Sequence, residues 1–196
     1  MKKLTLILVA AFVVGLPLAA GAVTLTFDEF PIGTVVSNQY APQGVIFLQG
    51  TNGNFPIITG DGAMPTSPVL SPNPIFAGNF TIQFPSGARD VSFISGFWDT
   101  VNSGKIQVFD PVNVLLGTFT NTTTGVQAFN FDSLGAIINR PDLVIGRISF
   151  DSFADPAGAD IDNLTFNPTP EPSTLLLLGS SLAGLGGFAL RRQRRK

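Results

Sequence analysis

The sequence predicts an all-β fold, a two-sheet antiparallel β-sandwich of jelly-roll-like form, flanked by an N-terminal signal peptide and a C-terminal transmembrane helix. Three observations carry that reading. Runs rich in Phe, Val, Ile and Thr alternate apolar and polar residues with a period of two, as in Phe80-Thr81-Ile82-Gln83-Phe84. That spacing turns one strand face to a core and the other to water. Gly, Pro and Asn clusters separate these runs at short intervals, which is the rhythm of a sandwich rather than of βαβ units. The only stretches that read as helix lie at the two ends of the chain.

Nine strands are expected in order: residues 23–27, 44–48, 80–84, 91–97, 105–109, 115–120, 126–131, 144–150 and 162–166. Asp110-Pro111-Val112-Asn113 reads as a tight turn, because Pro presets φ while Asp and Asn bond back to the local backbone. It joins 105–109 to 115–120 as a hairpin. Asn121-Thr122-Thr123-Thr124-Gly125 is a second connection of the same kind. Residues 49–79 stand apart, with five prolines and five glycines among few strand formers. A connection of that length is usually functional or disordered. Its apolar residues, such as Phe55, Ile57, Ile58, Val69 and Leu70, predict packing against a sheet with a short strand or two inside. Either irregular packing over one end of the sandwich or a ligand-binding loop fits this composition.

The two ends have different jobs. Lys2 and Lys3 precede an apolar run from Leu4 to Leu18 and then Ala20-Gly21-Ala22. A charged n-region, an apolar h-region and an A-x-A site make residues 1–22 a secretory signal peptide, cut after Ala22. At the other end, Pro170-Glu171-Pro172 leads into the apolar segment 173–190, and Arg191, Arg192, Arg194, Arg195 and Lys196 close the chain. As a helix, that segment rises about 27 Å, just under the ~30 Å hydrocarbon core. The basic cluster is costly to move through lipid and holds its end in the cytoplasm. Prolines 168, 170 and 172 predict an extended, accessible approach to the membrane. The chain therefore divides into 1–22, an ectodomain at 23–167 and a sorting segment at 168–196.

The overall charge of −2 conceals an asymmetry. Between residues 23 and 169 four basic residues face twelve acidic ones, a net of −8. Such a module excludes nucleic acid as a partner and suits divalent cations. Cysteine is absent, and a domain of this length buries about 68–70% of its unfolded surface without staples.

Pro170-Glu171-Pro172, a short apolar helix and an Arg-rich terminus together resemble the PEP-CTERM sorting signal of exopolysaccharide-producing Gram-negative bacteria. The resemblance implies recognition and cleavage by a membrane-embedded exosortase, transient residence in the inner membrane, and delivery by the secretion machinery to the cell surface or extracellular matrix. An ordinary single-pass tail anchor would account for the apolar run and the arginines, but not for the Pro-Glu-Pro at the membrane entry. The ectodomain in turn resembles β-sandwich modules of PEP-CTERM proteins and, more distantly, carbohydrate-binding modules. The matching residues are 26–34, Gly44-Val45-Ile46-Phe47 and 161–166. In such modules the first and last strands lie side by side, and acidic residues there can hold a structural calcium ion. Here that carries over to Asp28 or Glu29 and to Asp162.

Asp151, Asp155, Asp160 and Asp162 crowd the last connection. Calcium takes six to eight oxygens, so Asp28, Glu29, Asp160 and Asp162 are the candidate ligands; the competing reading is solvated turn residues held by local hydrogen bonds. Trp98, the sole tryptophan, ends a strand beside a turn. It is either a sugar-stacking platform or a partly buried ring at a sheet edge. With no histidine and no cysteine, Ser-His-Asp, Cys-His and zinc chemistry are excluded. A carboxylate pair of the glycosidase type is the one catalytic route left, and the single ectodomain glutamate, Glu29, lies in no catalytic motif. The expectation is an exported, noncatalytic surface or matrix protein with a structural or adhesive role in exopolysaccharide or biofilm. A calcium-stabilised carbohydrate-binding module is the alternative, and a glycosidase a distant third.

Overall fold

In the computed structural model, residues 21–60, 68–132, 134–138, 142–169 and 179 are described. Residues 1–20 of the predicted signal peptide lie outside this set. So do Pro170, Glu171, Pro172, the apolar segment 173–190 apart from Gly179, and the basic residues Arg191, Arg192, Arg194, Arg195 and Lys196. Among the described residues no helix is long and apolar enough to cross a membrane.

Among the described residues ten strands carry the fold, all paired antiparallel: β1 Val23–Leu25, β2 Ile46–Leu48, β3 Ile57–Thr59, β4 Val69–Ser71, β5 Asn79–Trp98, β6 Lys105–Phe109, β7 Leu115–Phe119, β8 Gly125–Asn130, β9 Ile145–Asp151 and β10 Asp160–Pro168. The main path of pairing runs β3-β4-β10-β5-β9-β6-β7; β1 joins β10, while β2 and β8 join β5. Among the described residues of the ectodomain, a short helix, α1 Leu134–Ile137, and a 3-10 turn at Ala41–Gln43 stand where only strands and loops were predicted.

The predicted break between 80–84 and 91–97 is absent. Pro85 and Gly87 read locally as punctuation, yet β5 runs through them for 20 residues. The chain bends there instead of reversing: Gly87 has φ +82 and Asp90 φ 51, and the register to β9 shifts between Gln83 and Ala88. A Cβ at Gly87 would collide with Val144, so glycine satisfies both the left-handed backbone and the close approach. The first half of β5 pairs with β2 and β9; the second half pairs with β10 and β8.

The predicted hairpin at 105–120 forms as β6 and β7. Asp110 Oδ1 accepts the backbone N–H of Val112 at 3.0 Å and of Val114 at 2.9 Å, the local bonding for which Asp is favoured in turns. Two short strands, β3 and β4, do lie within residues 49–79 and reach β10 through Ile161 opposite Leu70. Pro168 is the last residue of β10, opposite Ala88, rather than the start of an extended segment; a strand terminus tolerates the missing donor. Ordered contacts continue to Thr169, whose N–H donates to Gly87 O at 3.0 Å and whose hydroxyl donates to Ser86 O.

Phenylalanine dominates the core. Phe80 meets Phe150 at 5.2 Å between ring centroids, Phe93 meets Phe129 at 5.5 Å and Phe84 meets Phe166 at 5.0 Å. Each buried ring contributes about 1.5–3 kcal/mol and leans on its neighbours in tilted or edge-on packing.

Candidate functional site

The pairing of β1 with β10 sets the place of the acidic candidates. β1 pairs with β10 from Val23 opposite Phe166 to Leu25 opposite Leu164, so the first and last strands do lie side by side. Asp28 and Glu29 follow β1 and are exposed, while Asp160 and Asp162 are buried at the start of β10. Asp162 accepts the Asn163 N–H at 2.7 Å. Burial pushes its carboxyl up to about 6; the Asn163 hydrogen bond opposes the rise, and the charges of Asp28 and Glu29 add to it. Glu29 also accepts the Tyr40 hydroxyl at 2.9 Å. Burial first, then that bond, raise the Tyr40 pKa and keep the phenol a proton donor.

The structure thus brings Asp28 and Glu29 within electrostatic reach of Asp162. Asp160 is used differently: its backbone carbonyl accepts the Ser95 hydroxyl at 2.7 Å. Among the described residues no three acidic side chains converge as metal ligands. The charge of a cation site is present here, but a formed oxygen cage is not.

Trp98 is not a surface platform. Its ring is 1% exposed, lies 5.9 Å from Phe150 and covers Gly104, where a Cβ would clash with it. The glycine two positions after Asn102 makes room for the indole, a tertiary fit that no local pattern announces.

Asp155 has a structural role. One carboxylate oxygen accepts the N–H of Asp99 at 3.0 Å, the N–H of Thr100 at 3.2 Å and the Ser103 hydroxyl at 2.6 Å. The other accepts the N–H groups of Ala157 and Gly158 at 3.2 and 3.1 Å. It therefore fastens the β5–β6 turn to the β9–β10 connection.

Sequence reasoning missed one arrangement. The Arg147 guanidinium lies 3.5 Å from the centre of the Phe109 ring, and its Nε donates to Asn113 Oδ1 at 2.8 Å. The available signal was the alternation Arg147-Ile148-Ser149-Phe150-Asp151, which turns Arg147 outward. Its partners come from β6 and the following turn, and no local pattern names them.

Comparison with known proteins identifies one segment. Residues 168–195 match the PEP-CTERM protein-sorting motif. The chain carries this signal, which implies recognition by an exosortase, export and sorting to the cell surface. No curated protein matches the sequence. Among solved structures, the crystal structure of the Podospora anserina GH26-CBM35 beta-(1,4)-mannanase is similar at 12% identity and a TM-score of 0.38, over 78% of this chain and 29% of that one. A likeness that loose carries no inference about fold or function.

Proposed function

We propose that the protein is a noncatalytic component of the cell surface or extracellular matrix, released from the inner membrane by exosortase cleavage at its tail and serving a structural or adhesive role among exopolysaccharide. The observation that carries this reading is the match of residues 168–195 to the sorting motif. The ectodomain supports it: an acidic β-rich unit whose ordered contacts run to Thr169, immediately ahead of Pro170-Glu171-Pro172. Absence of histidine and cysteine removes most hydrolytic machinery. A two-layer sandwich fits the division of β5, since Phe93 on its second half and Phe150 on β9, which pairs with the first half, meet at 6.4 Å across the core.

The test compares intact mass and location of the protein in hosts with and without an active exosortase. The expected result is loss of the tail only where the enzyme is active, abolished by replacing Pro170, Glu171 and Pro172 with alanine. A protein that keeps its tail in both hosts overturns the reading.

A second reading, a calcium-stabilised carbohydrate-binding module, is favoured by one observation: the raised carboxyl of Asp162 beside Asp28 and Glu29. A divalent cation there would offset the burial cost of the Asp162 carboxylate, the larger cause of its raised value, and the like-charge repulsion from Asp28 and Glu29. A calcium-dependent rise in melting temperature, lost in Asp162→Asn, supports it; no shift at millimolar calcium removes it.

A further inference from the structure

One sheet face carries a continuous row of polar side chains. Along the first half of β5 and along β9 and β6, Phe80, Ile82, Ile148, Phe150, Ile106 and Val108 point into the core, so the alternate residues point outward. Register places Thr81 opposite Ser149, Ser149 opposite Gln107, and Gln107 opposite Thr118 of β7. Beside that row, Gln83 stands opposite Arg147 and Arg147 opposite Phe109. Four adjacent strands at ~4.8 Å spacing make a face about 15 Å wide, and its middle is hydroxyl and amide chemistry.

Arg147 is the organising group. Phe109 fixes the plane of the guanidinium from below, and Asn113 fixes its rotation through Nε. Its two terminal nitrogens have no hydrogen-bond partner among the described residues, and it pairs with no described carboxylate within 4.0 Å. A held guanidinium with both ends open is the donor fork that matches a carboxylate bidentately. The domain's net charge of −8 opposes anions at long range, so an anion taken here is held by direct contact with the open guanidinium nitrogens. A dense run of charge would need many cations, and on this face Lys105 at the margin stands opposite Asp151, which leaves Arg147 to take a single carboxylate. A carboxylate set among hydroxyls and ring oxygens answers Arg147 and the hydroxyl and amide groups around it.

We propose that the outward face of β5, β9, β6 and β7 binds a uronate-bearing polysaccharide, with Arg147 taking the sugar carboxylate and Gln83, Gln107 and Ser149 bonding its hydroxyls. The proposal rests on the matrix role argued above and supplies its partner by chemical class.

The test titrates the detergent-purified full chain with polygalacturonate, fully methyl-esterified polygalacturonate and dextran, reading binding by affinity electrophoresis. Wild-type protein binds the free acid and neither of the others. Arg147→Gln weakens binding about tenfold or more, and Arg147→Lys, which keeps the charge but loses the fork, stays well below wild type. Gln107→Ala, a change on the outward, half-buried side of β6, loses several-fold with an unchanged melting temperature and guards against a folding artefact. Equal binding of acid and ester, or no effect of Arg147→Gln, overturns the proposal. So does self-association that Arg147→Gln abolishes, which would make the face an interface between copies. Intact mass in exosortase-active cells is independent of glycan binding, so failure here is distinguishable from failure of the sorting reading.

Discussion

Asp162 shows how much one buried carboxyl can govern. Its pKa of about 6 lies above the ordinary unfolded value of about 3.9, so the folded chain holds a proton that the unfolded chain releases. Stability from this group is complete below about pH 4 and is lost as pH rises through 6. Melting temperature should therefore fall between pH 4 and 6.5, by the equivalent of about 3 kcal/mol at most, and Asp162→Asn should flatten that slope. A wild-type curve that rises through the same interval and matches the variant would contradict the assignment. Trp98 gives a second expectation at this scale. An indole 1% exposed should emit as a buried ring, resist an aqueous quencher until the protein unfolds, and ignore added glycan. Quenching of the native state would place the ring in solvent. The burial of Trp98 was not legible in its neighbourhood, because a strand end beside a turn is equally compatible with core and surface; Gly104 and Phe150 decide it from elsewhere.

At the scale of elements, one of the two predicted hairpin turns was readable; Asn121–Gly125 instead carries the chain across from β7, which pairs with β6, to β8, which pairs with β5. Asp110-Pro111-Val112-Asn113 announces its hairpin because turn chemistry is local. β5 was not readable in the same way: Pro85 and Gly87 mark a bend, and only pairing with β9, β10, β2 and β8 decides that the strand continues. The connections near residues 99–104 and 152–159 depend on Asp155. Asp155→Ala leaves five donors without their acceptor and should cost about 2–4 kcal/mol in urea unfolding, more than any solvated turn aspartate would. A loss under 1 kcal/mol would show that the carboxylate is dispensable. Gly158 makes a matching case: its φ is +81, and a Cβ would run into the Phe76 carbonyl. Gly158→Ala should destabilise by about 1–3 kcal/mol, read from the same denaturation curves.

For the whole molecule, the pairing of β1 with β10 brings the segment that follows the predicted signal-peptide cut beside the strand that leads into the tail. Deleting residues 191–196 should leave the folded unit's melting temperature unchanged while lowering the yield of tail-cleaved product, checked by intact mass against wild type. A melting shift would mean that the terminus contributes to the ectodomain.

The amino-acid sequence by itself determined the sorting tail, the β-rich class and the acidic character of the ectodomain, because order along the chain, a period of two and net charge are properties of neighbours and sums. The tertiary structure alone decided that Trp98 belongs to the core, that Asp28 and Glu29 act on Asp162, and that Arg147 lies over Phe109. Those facts depend on which strands pair and in what register, and that is settled by the simultaneous burial of residues far apart in the chain.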